Sequence, residues 1–405
     1  GYSSAQPWNM VVKDNLITVA FDMCFSGQRY DWFYMFDTML MAPTNQARAA
    51  IIKTCFVTFD CEGIIVNNHC VQLYAPFGHG LDLIYSCFVG LNDSRFGIDG
   101  DNNIHIFSDN EMTDSVNGAY LILDEDTNRR YPLHINTING RQFTLTRYLK
   151  IDENWNLVKV KDMIDTITGW EPDEVHPIAD LRIKKVIIDR DEIFVNCHFT
   201  KNHFDGQQSE PFLARVYLDS IHYLKVENET DLRLMPCLVK LNTDGDVVWV
   251  QQLYTECEEN RALNYVDSYS SAALDDENIY AFWCTSEYNS RSYLDSAHTN
   301  RIMGLLSSSS TIIVSYDRRS GNLVDYFMVD TVNTNMVSNP SILHGDEIIL
   351  DVASFLLFKT ELCKINKHTK MKTRSMPVLY NRPAVCESMS VNNSGWVFRA
   401  EEGEG

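Results

Sequence analysis

Residues 239–249 read VKLNTDGDVVW, and this stretch decides how the rest of the chain is interpreted. Apolar and aromatic residues stand on both sides of a polar centre, Asn242 to Asp246. Asn and Asp side chains bond to backbone amides two residues further on, and Gly takes a positive φ at little cost. Strand-forming residues around such a turn are typical of a β-hairpin. The stretch therefore predicts two antiparallel strands joined by a tight turn.

This hairpin pattern recurs along the chain and alternates with a second pattern. Its other copies lie at 57–66, 149–160, 314–324 and 363–371, with a further candidate at 121–128, where Asp124 opens the turn. The second, a turn–strand pattern, is a small polar turn followed by an apolar run, and it starts at 13, 101, 190, 276, 345 and 393. Each unit therefore contains a strand, a variable connection and a hairpin, which is how a four-stranded propeller blade is built.

The repeat predicts an all-β fold of the β-propeller type, with residues 1–405 forming a single domain of six blades. The six turn–strand copies set this number. Five blades and seven blades are the alternatives, and seven would follow if the Asp124 hairpin belongs to a blade of its own. The last turn–strand copy has no hairpin after it, so its blade is incomplete or is closed by residues 1–10. A β-sandwich with an accessory domain would also give alternating strands and turns.

Three irregular loop insertions, at 26–54, 200–234 and 286–311, account for spacings longer than the roughly 40–50 residues of a blade. They are polar or irregular in sequence, as loops on one face of a propeller would be. A short helix is expected at 44–52, where Thr44 or Asn45 would cap a run of Ala and Ile. The last residues, 401–405, read EEGEG and predict a frayed acidic tail.

The hairpin pattern resembles the strand–turn–strand units of bacterial and phage β-propellers with quinoprotein-dehydrogenase-like repeats. The copies that carry the resemblance best are 240–249 and 316–323. The enzymes of that group repeat a Trp after the turn, and here only Trp249 holds that place. The resemblance implies the propeller fold. Since no cofactor motif accompanies it, we expect no cofactor.

The charge of the chain excludes two classes of partner. The sequence has 34 Lys and Arg against 55 Asp and Glu, a formal net charge of −21. Binding to nucleic-acid phosphates or to anionic lipid needs clustered Lys and Arg. No apolar run approaches the roughly 18 residues of a transmembrane helix. We therefore expect neither a nucleic-acid partner nor a membrane association.

The cysteines bear on the compartment. The chain has 11 Cys, and several lie in strand-like apolar runs such as 193–197. Buried thiols behave as small apolar side chains. The odd number and the lack of a CxxC pair predict reduced thiols, and so a cytoplasmic chain or a virion component assembled in the cytoplasm. Because the sequence opens on Gly1 rather than Met, secretion stays an alternative.

A weak metal candidate lies at Asp99, Asp101 and Asn103, whose side-chain oxygens alternate as in a calcium loop. Ile104 stands where an EF-hand loop needs Gly, and no Glu follows at the twelfth position. Turn chemistry explains the same residues, so no metal site is predicted. Motifs for nucleophilic catalysis, such as GxSxG, are also missing from the sequence. No catalytic residue is therefore predicted.

An aromatic cluster in the first insertion is the candidate interface. It consists of Tyr30, Trp32, Phe33, Tyr34 and Phe36. These side chains either pack on their own blade as a satellite core or anchor a protein partner.

Two functions from different classes follow. The favoured one is a non-enzymatic structural propeller, a platform for protein partners in a larger assembly such as a virion or a phage tail. The alternative is a propeller enzyme or carbohydrate-binding protein with acidic residues at the central channel. That alternative needs an acid or a Trp at one equivalent position of every copy. No acid or Trp is shared at the equivalent turn position, which is occupied by Gly63, Asn156, Gly245, Gly321 and Thr369.

Overall fold

A computed structural model describes residues 3–25, 33–35, 38–40, 51–74, 95–110, 120–124, 130–132, 145–162, 166–168, 178–202, 214–217, 223–226, 235–257, 270–285, 290–295, 299–302, 310–329, 335–354, 359–378, 386–391 and 397–401. Every regular element in these ranges is a β-strand, so the predicted all-β class is confirmed. Within the same ranges, no helix has the length and apolar character needed to cross a membrane.

The strands follow one another at short intervals. The first are β1 (Ser3–Lys13), β2 (Leu16–Phe25), β3 (Phe33–Met35), β4 (Thr38–Leu40), β5 (Ile51–Phe59), β6 (Ile65–Tyr74), β7 (Arg95–Ile98), β8 (Ile104–Asn110), β9 (Tyr120–Leu123), β10 (Arg130–Pro132), β11 (Leu145–Ile151) and β12 (Leu157–Asp162). The next are β13 (Thr166–Thr168), β14 (Ile178–Asp189), β15 (Glu192–Asn202), β16 (Ala214–Tyr217), β17 (Tyr223–Val226), β18 (Met235–Asn242), β19 (Val247–Gln252), β20 (Tyr254–Cys257), β21 (Ser270–Leu274) and β22 (Asn278–Thr285). The last are β23 (Ser290–Tyr293), β24 (Ser310–Asp317), β25 (Leu323–Met328), β26 (Asn335–His344), β27 (Glu347–Ser354), β28 (Lys359–Asn366), β29 (Lys372–Val378), β30 (Cys386–Val391) and β31 (Val397–Glu401).

Among the described residues, five sheets share one wiring of four antiparallel strands. Their strand orders are β1-β2-β5-β6, β7-β8-β11-β12, β14-β15-β18-β19, β21-β22-β24-β25 and β26-β27-β28-β29. Each turn–strand copy joins the first strand to the second, and each hairpin copy joins the third to the fourth. The sixth turn–strand copy joins β30 to β31, which pair with each other. This wiring confirms the β-propeller fold class, whereas the number of blades stays a prediction.

The structure corrects four details of the sequence analysis. The Asp124 hairpin, β9 and β10, extends the first sheet beside β6, which removes the reason for seven blades. Residues 3–10 belong to β1 and pair with β2, so they do not close the last copy. The helix at 44–52 is wrong at its end, because β5 begins at Ile51, and its start lies outside the described residues. Glu401 ends β31 instead of opening a tail, and 402–405 lie outside the described residues.

The chain divides into two compact units, Gly1–Met163 with Ile188–Asp191, and Ile164–Ile187 with Glu192–Gly405. In the second unit, both faces of β22 are buried. Ile279, Ala281 and Trp283 pack with side chains of the third sheet such as Phe194, while Tyr280 and Phe282 pack with the fifth sheet. A strand buried on both faces has a continuous apolar sequence, and this explains the run IYAFW at 279–283.

The first unit has the same kind of core. Phe56, Val71 and Leu121 of the first sheet form one cluster with Phe96 and Leu149 of the second. The prediction of a single domain over 1–405 stays a prediction.

Candidate functional site

The strand ends of each four-stranded sheet lie along two opposite edges. These two edges, formed by strand ends and not by outermost strands, carry different kinds of link. In an antiparallel meander, the links from the first to the second strand and from the third to the fourth meet at the same edge. We call it the turn edge, since its links are the tight turns of the two sequence patterns, such as 14–15 and 60–64. The opposite connection edge receives the remaining links. Those between the second and third strands are 26–50, 111–144, 203–234, 286–309 and 355–358.

Short strands within the links of the connection edge form accessory sheets. Three such sheets are separate, β3-β4, β13-β16-β17 and β20-β23, whereas β9-β10 extends the first sheet beside β6. The link 286–309 also contributes the buried side chains Leu294 and Ile302 to the core beside the fourth sheet. The insertions, expected to be irregular, therefore contain strands and, in this case, core residues.

The candidate interface is only partly described. Phe33 and Tyr34 lie in β3, opposite Leu40 and Met39 of β4. Tyr30, Trp32 and Phe36 lie outside the described residues, as do the side chains of the cluster. The link 26–50, which holds this hairpin, starts and ends at the connection edge of the first sheet. The role of the cluster as an interface stays a prediction.

Polar side chains at the turn edge bind their own turns. In each hairpin-pattern turn, the Oδ1 atom of the first residue accepts hydrogen bonds of 2.7–3.1 Å from two backbone amides. These first residues are Asp60, Asp152, Asn242, Asp317 and Asn366. The acids and amides of these turns thus serve the turn conformation.

One residue in each of these turns has a left-handed conformation. It is Gly63, Trp155, Gly245, Gly321 or Lys370, with φ between +59° and +81°. The sequence predicts Asn156 and Thr369 at this position. In the structure the left-handed residue lies one position earlier in the first of these turns, at Trp155, and one later in the second, at Lys370. The corrected set still has no acid in common, and Trp occurs only once.

In two of these turns, the left-handed residue contacts the fourth strand of the preceding sheet. Trp155 stacks on His69 of β6, with 4.3 Å between ring centroids. The Gly321 carbonyl accepts a 2.8 Å hydrogen bond from Gln251 Nε2 of β19, and its Cα lies against the Trp249 ring. Trp249, the Trp expected from the resemblance, is therefore a packing residue between successive sheets.

The loop considered as a calcium candidate binds a cation of the chain itself. Lys13 Nζ donates hydrogen bonds to the carbonyl oxygens of Asp99 and Gly100 and to Asn102 Oδ1, the last at 2.6 Å. The loop oxygens thus surround an ammonium group, which joins the first turn of one sheet to the first turn of the next. In the described part of the chain, no group of three or more His, Cys, Asp or Glu side chains could hold a metal ion.

Asp99 itself is buried at the centre of a hydrogen-bond network. Its carboxylate accepts from the amides of Asp101 and Asn103, from Asn103 Nδ2, and from His105 Nε2 at 2.9 Å. The other ring nitrogen of His105 lies 2.8 Å from the Tyr148 hydroxyl. Both His105 and Tyr148 are fully buried. Burial raises the pKa of Asp99, but the hydrogen bonds from Asn103 and His105 outweigh it and hold the pKa below 3.8.

This network predicts an acid-sensitive contribution to stability. The folded-state pKa of Asp99 is lower than its unfolded value, so the contribution is present above about pH 4–5 and is lost as the pH falls through the folded pKa. We expect Asp99→Asn to lower the free energy of unfolding by about 2 kcal/mol at pH 7. The difference from the wild type should shrink below about pH 4.

Urea denaturation at pH 7, 5 and 3.5 measures this difference. Asp101→Asn is the control, because Asp101 is exposed in the same turn. If the free energy of unfolding of the wild type exceeds that of Asp99→Asn by the same amount at every pH, the role of the ionised carboxylate is contradicted.

An ion-pair cluster links the third and fourth sheets. The Glu192 carboxylate accepts from Lys240 Nζ and from Nε of Arg318, the latter at 2.7 Å. Lys240 Nζ also donates to the Arg318 carbonyl at 2.8 Å. Both cations lie over the Phe194 ring, 5.5 and 5.9 Å from its centroid. This Glu192 cluster joins residues far apart in sequence.

A second cluster links the fourth and fifth sheets. Asp275 accepts hydrogen bonds of 2.9 Å from both Lys367 Nζ and the Tyr280 hydroxyl. Burial raises the pKa of Asp275, but the hydrogen bonds from Lys367 and from nearby backbone amides lower it below the usual value. Burial and the hydrogen bond to Asp275 raise the pKa of Tyr280. In each cluster, a carboxylate of one sheet is therefore paired with a cation of the neighbouring sheet.

Comparison with known proteins gives matches only among solved structures. No family model and no curated protein matches the chain. Among solved structures, it is similar to a polysaccharide lyase of family PL25, an ulvan lyase bound to -[GlcA(1-4)Rha3S]-, with a TM-score of 0.37, 10% identity, and coverage of 93% of this chain and 83% of the lyase. It is also similar to the β-propeller domain of the Trilobed protease from Pyrococcus furiosus, with a TM-score of 0.29, 10% identity, and coverage of 94% and 99%.

Proposed function

We propose that this chain is a non-enzymatic platform for protein partners within a larger assembly, such as a virion or a phage tail, and that its connection edge is the binding surface. The observation that carries the proposal is the division of each sheet into two unlike edges. Polar residues of the turn edge are engaged in turns and in contacts between sheets. The long links, which contain the accessory strands, begin and end at the other edge.

The choice of a protein partner rests on charge and on aromatic residues. The net charge of −21 disfavours nucleic acid and anionic lipid. Aromatic residues are enriched at the energetically dominant positions of protein interfaces, and the link 26–50 holds five of them within 30–36. Within this segment, the backbone of Phe33 and Tyr34 pairs with β4 in the accessory hairpin β3-β4. The assembly would form in the cytoplasm, where the thiols expected from the sequence stay reduced.

The test begins with the partner that co-purifies with the tagged chain from its native source. Affinity for that partner, once purified, is then compared between the wild type and a Trp32→Ala/Phe33→Ala variant. We expect at least a tenfold loss of affinity with an unchanged melting temperature, since hot-spot truncations cost about 2 kcal/mol or more.

The matched control is Val248→Ala, an exposed apolar truncation on a fourth strand at the turn edge. It should bind like the wild type. Equal loss in both variants would show that the binding surface is not the connection edge. A purified monomer that turns over a glycan, or reduces a quinone-linked dye, would refute the platform and favour the enzyme alternative.

A further inference from the structure

Two buried cysteines face each other across the third sheet. Cys197 lies in β15 and Cys237 in β18, and they are directly opposite partners in the antiparallel ladder. Their Sγ atoms are 3.2 Å apart, and both residues are 0% exposed. At this distance one thiol can donate a hydrogen bond to the other. The contact brings two redox-active atoms together in a dry environment.

The backbone at this position suits a covalent bond between the two sulfurs. Directly opposite residues of an antiparallel pair have Cα atoms about 4.5–5.5 Å apart, and disulfides span Cα separations of about 4.4–6.8 Å. A disulfide has its sulfurs about 2.05 Å apart, so the two Sγ atoms need to approach by little more than one ångström. An approach of this size is on the scale of a side-chain rotation.

We propose that Cys197 and Cys237 form a redox-sensitive latch, which closes into a cross-strand disulfide when the protein meets hydrogen peroxide. One thiolate attacks a peroxide oxygen and becomes a sulfenic acid, and the leaving hydroxide takes up a proton as water. The second thiol gives up its proton, attacks the sulfenic sulfur and displaces a second water. The two sulfurs are oxidised by two electrons in total, and the peroxide is reduced by two.

The latch would act on the connection edge of the third sheet. Cys237 is close to the start of β18 at Met235, which receives the link 203–234, and β15 feeds the same link at Asn202. A disulfide would therefore fix the two strands at the base of this link. This inference is independent of the proposed function, because it concerns the chemistry of the sheet and not the identity of any partner.

The burial of both sulfurs sets the kinetics. A peroxide reaches them only when the strands open locally, and such openings have their own free energy. The rate of disulfide formation should therefore reach a plateau at high peroxide concentration, where opening becomes rate-limiting.

The experiment treats the folded protein with hydrogen peroxide, blocks remaining thiols under denaturing conditions and maps the cysteines by mass spectrometry. A Cys61→Ser background removes an exposed thiol that would form bonds between molecules. We expect a peptide pair joined through Cys197 and Cys237, lighter by two hydrogen atoms and separated again by dithiothreitol. Amides of β15 and β18 should exchange with deuterium several-fold more slowly after oxidation.

Cys363 is the internal control. It is as deeply buried, at 1% exposed, but it faces Leu350 and Ser375 across its neighbouring strands. It should remain a thiol over the same time, and exchange in β27 and β28 should not change. If Cys197 and Cys237 are recovered as thiols or as sulfinic acids, or are joined only after the protein has been unfolded, the latch is refuted.

Discussion

Replacing Gly321 by Ala is expected to lower the free energy of unfolding by about 2–4 kcal/mol, from two separate costs. The residue has φ +73°, where a side chain costs about 1 kcal/mol. A Cβ there would also lie 2.7 Å from the Trp249 ring, and overpacking of this kind costs about 1–3 kcal/mol. Urea denaturation of the wild type and the variant measures the sum.

Three glycines of the same chain separate the two costs. Gly63 and Gly345 have φ +81° and +59° but open space where a Cβ would be, so Ala there should cost only about 1 kcal/mol. Gly97 has a Cβ position 2.6 Å from the flexible end of Ile188 without the positive φ. Its substitution tests the contact alone. If Gly321→Ala costs no more than Gly63→Ala, Trp249 does not pack on the turn as described.

The Trp249 ring can also be removed. In a Trp249→Ala background, Gly321→Ala should cost only the backbone term of about 1 kcal/mol, because the steric contact is gone. This non-additivity would identify the ring as the group that the left-handed turn accommodates.

Much of the repeat was predictable because its physics is local. An Asp or Asn at the start of a turn, followed by Gly, satisfies its own backbone amides whatever lies around it, as Asn242 and Gly245 do. Strand-forming residues on both sides complete the hairpin. The order of turns and strands could therefore be derived without any knowledge of tertiary contacts.

The left-handed position was harder to place where no Gly marks it. Trp155 and Lys370 adopt φ +59° and +60°, a conformation that side chains rarely take. Trp155 is stabilised there by the His69 ring, and Lys370 lies beside Asp325. Both contacts come from the preceding sheet. Tertiary packing, which the sequence around the turn does not reveal, decided the register of these two turns.

The contacts between sheets were missed for the same reason. Lys13 binds the Asp99 loop from 86 residues away, and nothing near either residue indicates the other. The loop was considered as a cation site because its oxygens alternate. The structure supplies the cation from within the chain. Similarly, the sequence indicated the Asp124 hairpin but not that it would join the sheet of β6.

The candidate interface was visible only as composition. Five aromatic residues within 30–36 stand out in a polar insertion, but exposure and packing decide whether such a cluster binds a partner. The structure adds the topological argument that the insertion belongs to the connection edge. The link 286–309, whose Leu294 and Ile302 are buried, shows that insertions of this chain also complete the core.

Removing the shared carboxylate of the Glu192 cluster has the second large expected effect. Glu192→Ala should lower the free energy of unfolding by about 2–4 kcal/mol, since breaking a buried ion pair costs about 3–5 kcal/mol and this one is partly exposed. The side chains of Lys240 and Arg318 are only 8% and 11% exposed. Without Glu192, two positive charges stay side by side over the Phe194 ring.

The chain provides a matched control at the equivalent position of the fifth sheet. Glu347 begins β27 as Glu192 begins β15, and it pairs with Lys364 at 3.0 Å. That pair is more open, with side chains 36% and 20% exposed, so Glu347→Ala should cost at most about 1 kcal/mol. Both variants are compared with the wild type by urea denaturation at low and high salt. High salt should reduce the stability lost in Glu347→Ala by a larger fraction than the stability lost in Glu192→Ala, because buried charges are screened less. Equal losses for the two substitutions would show that burial and the second cation, Arg318, add nothing to the Glu192 cluster.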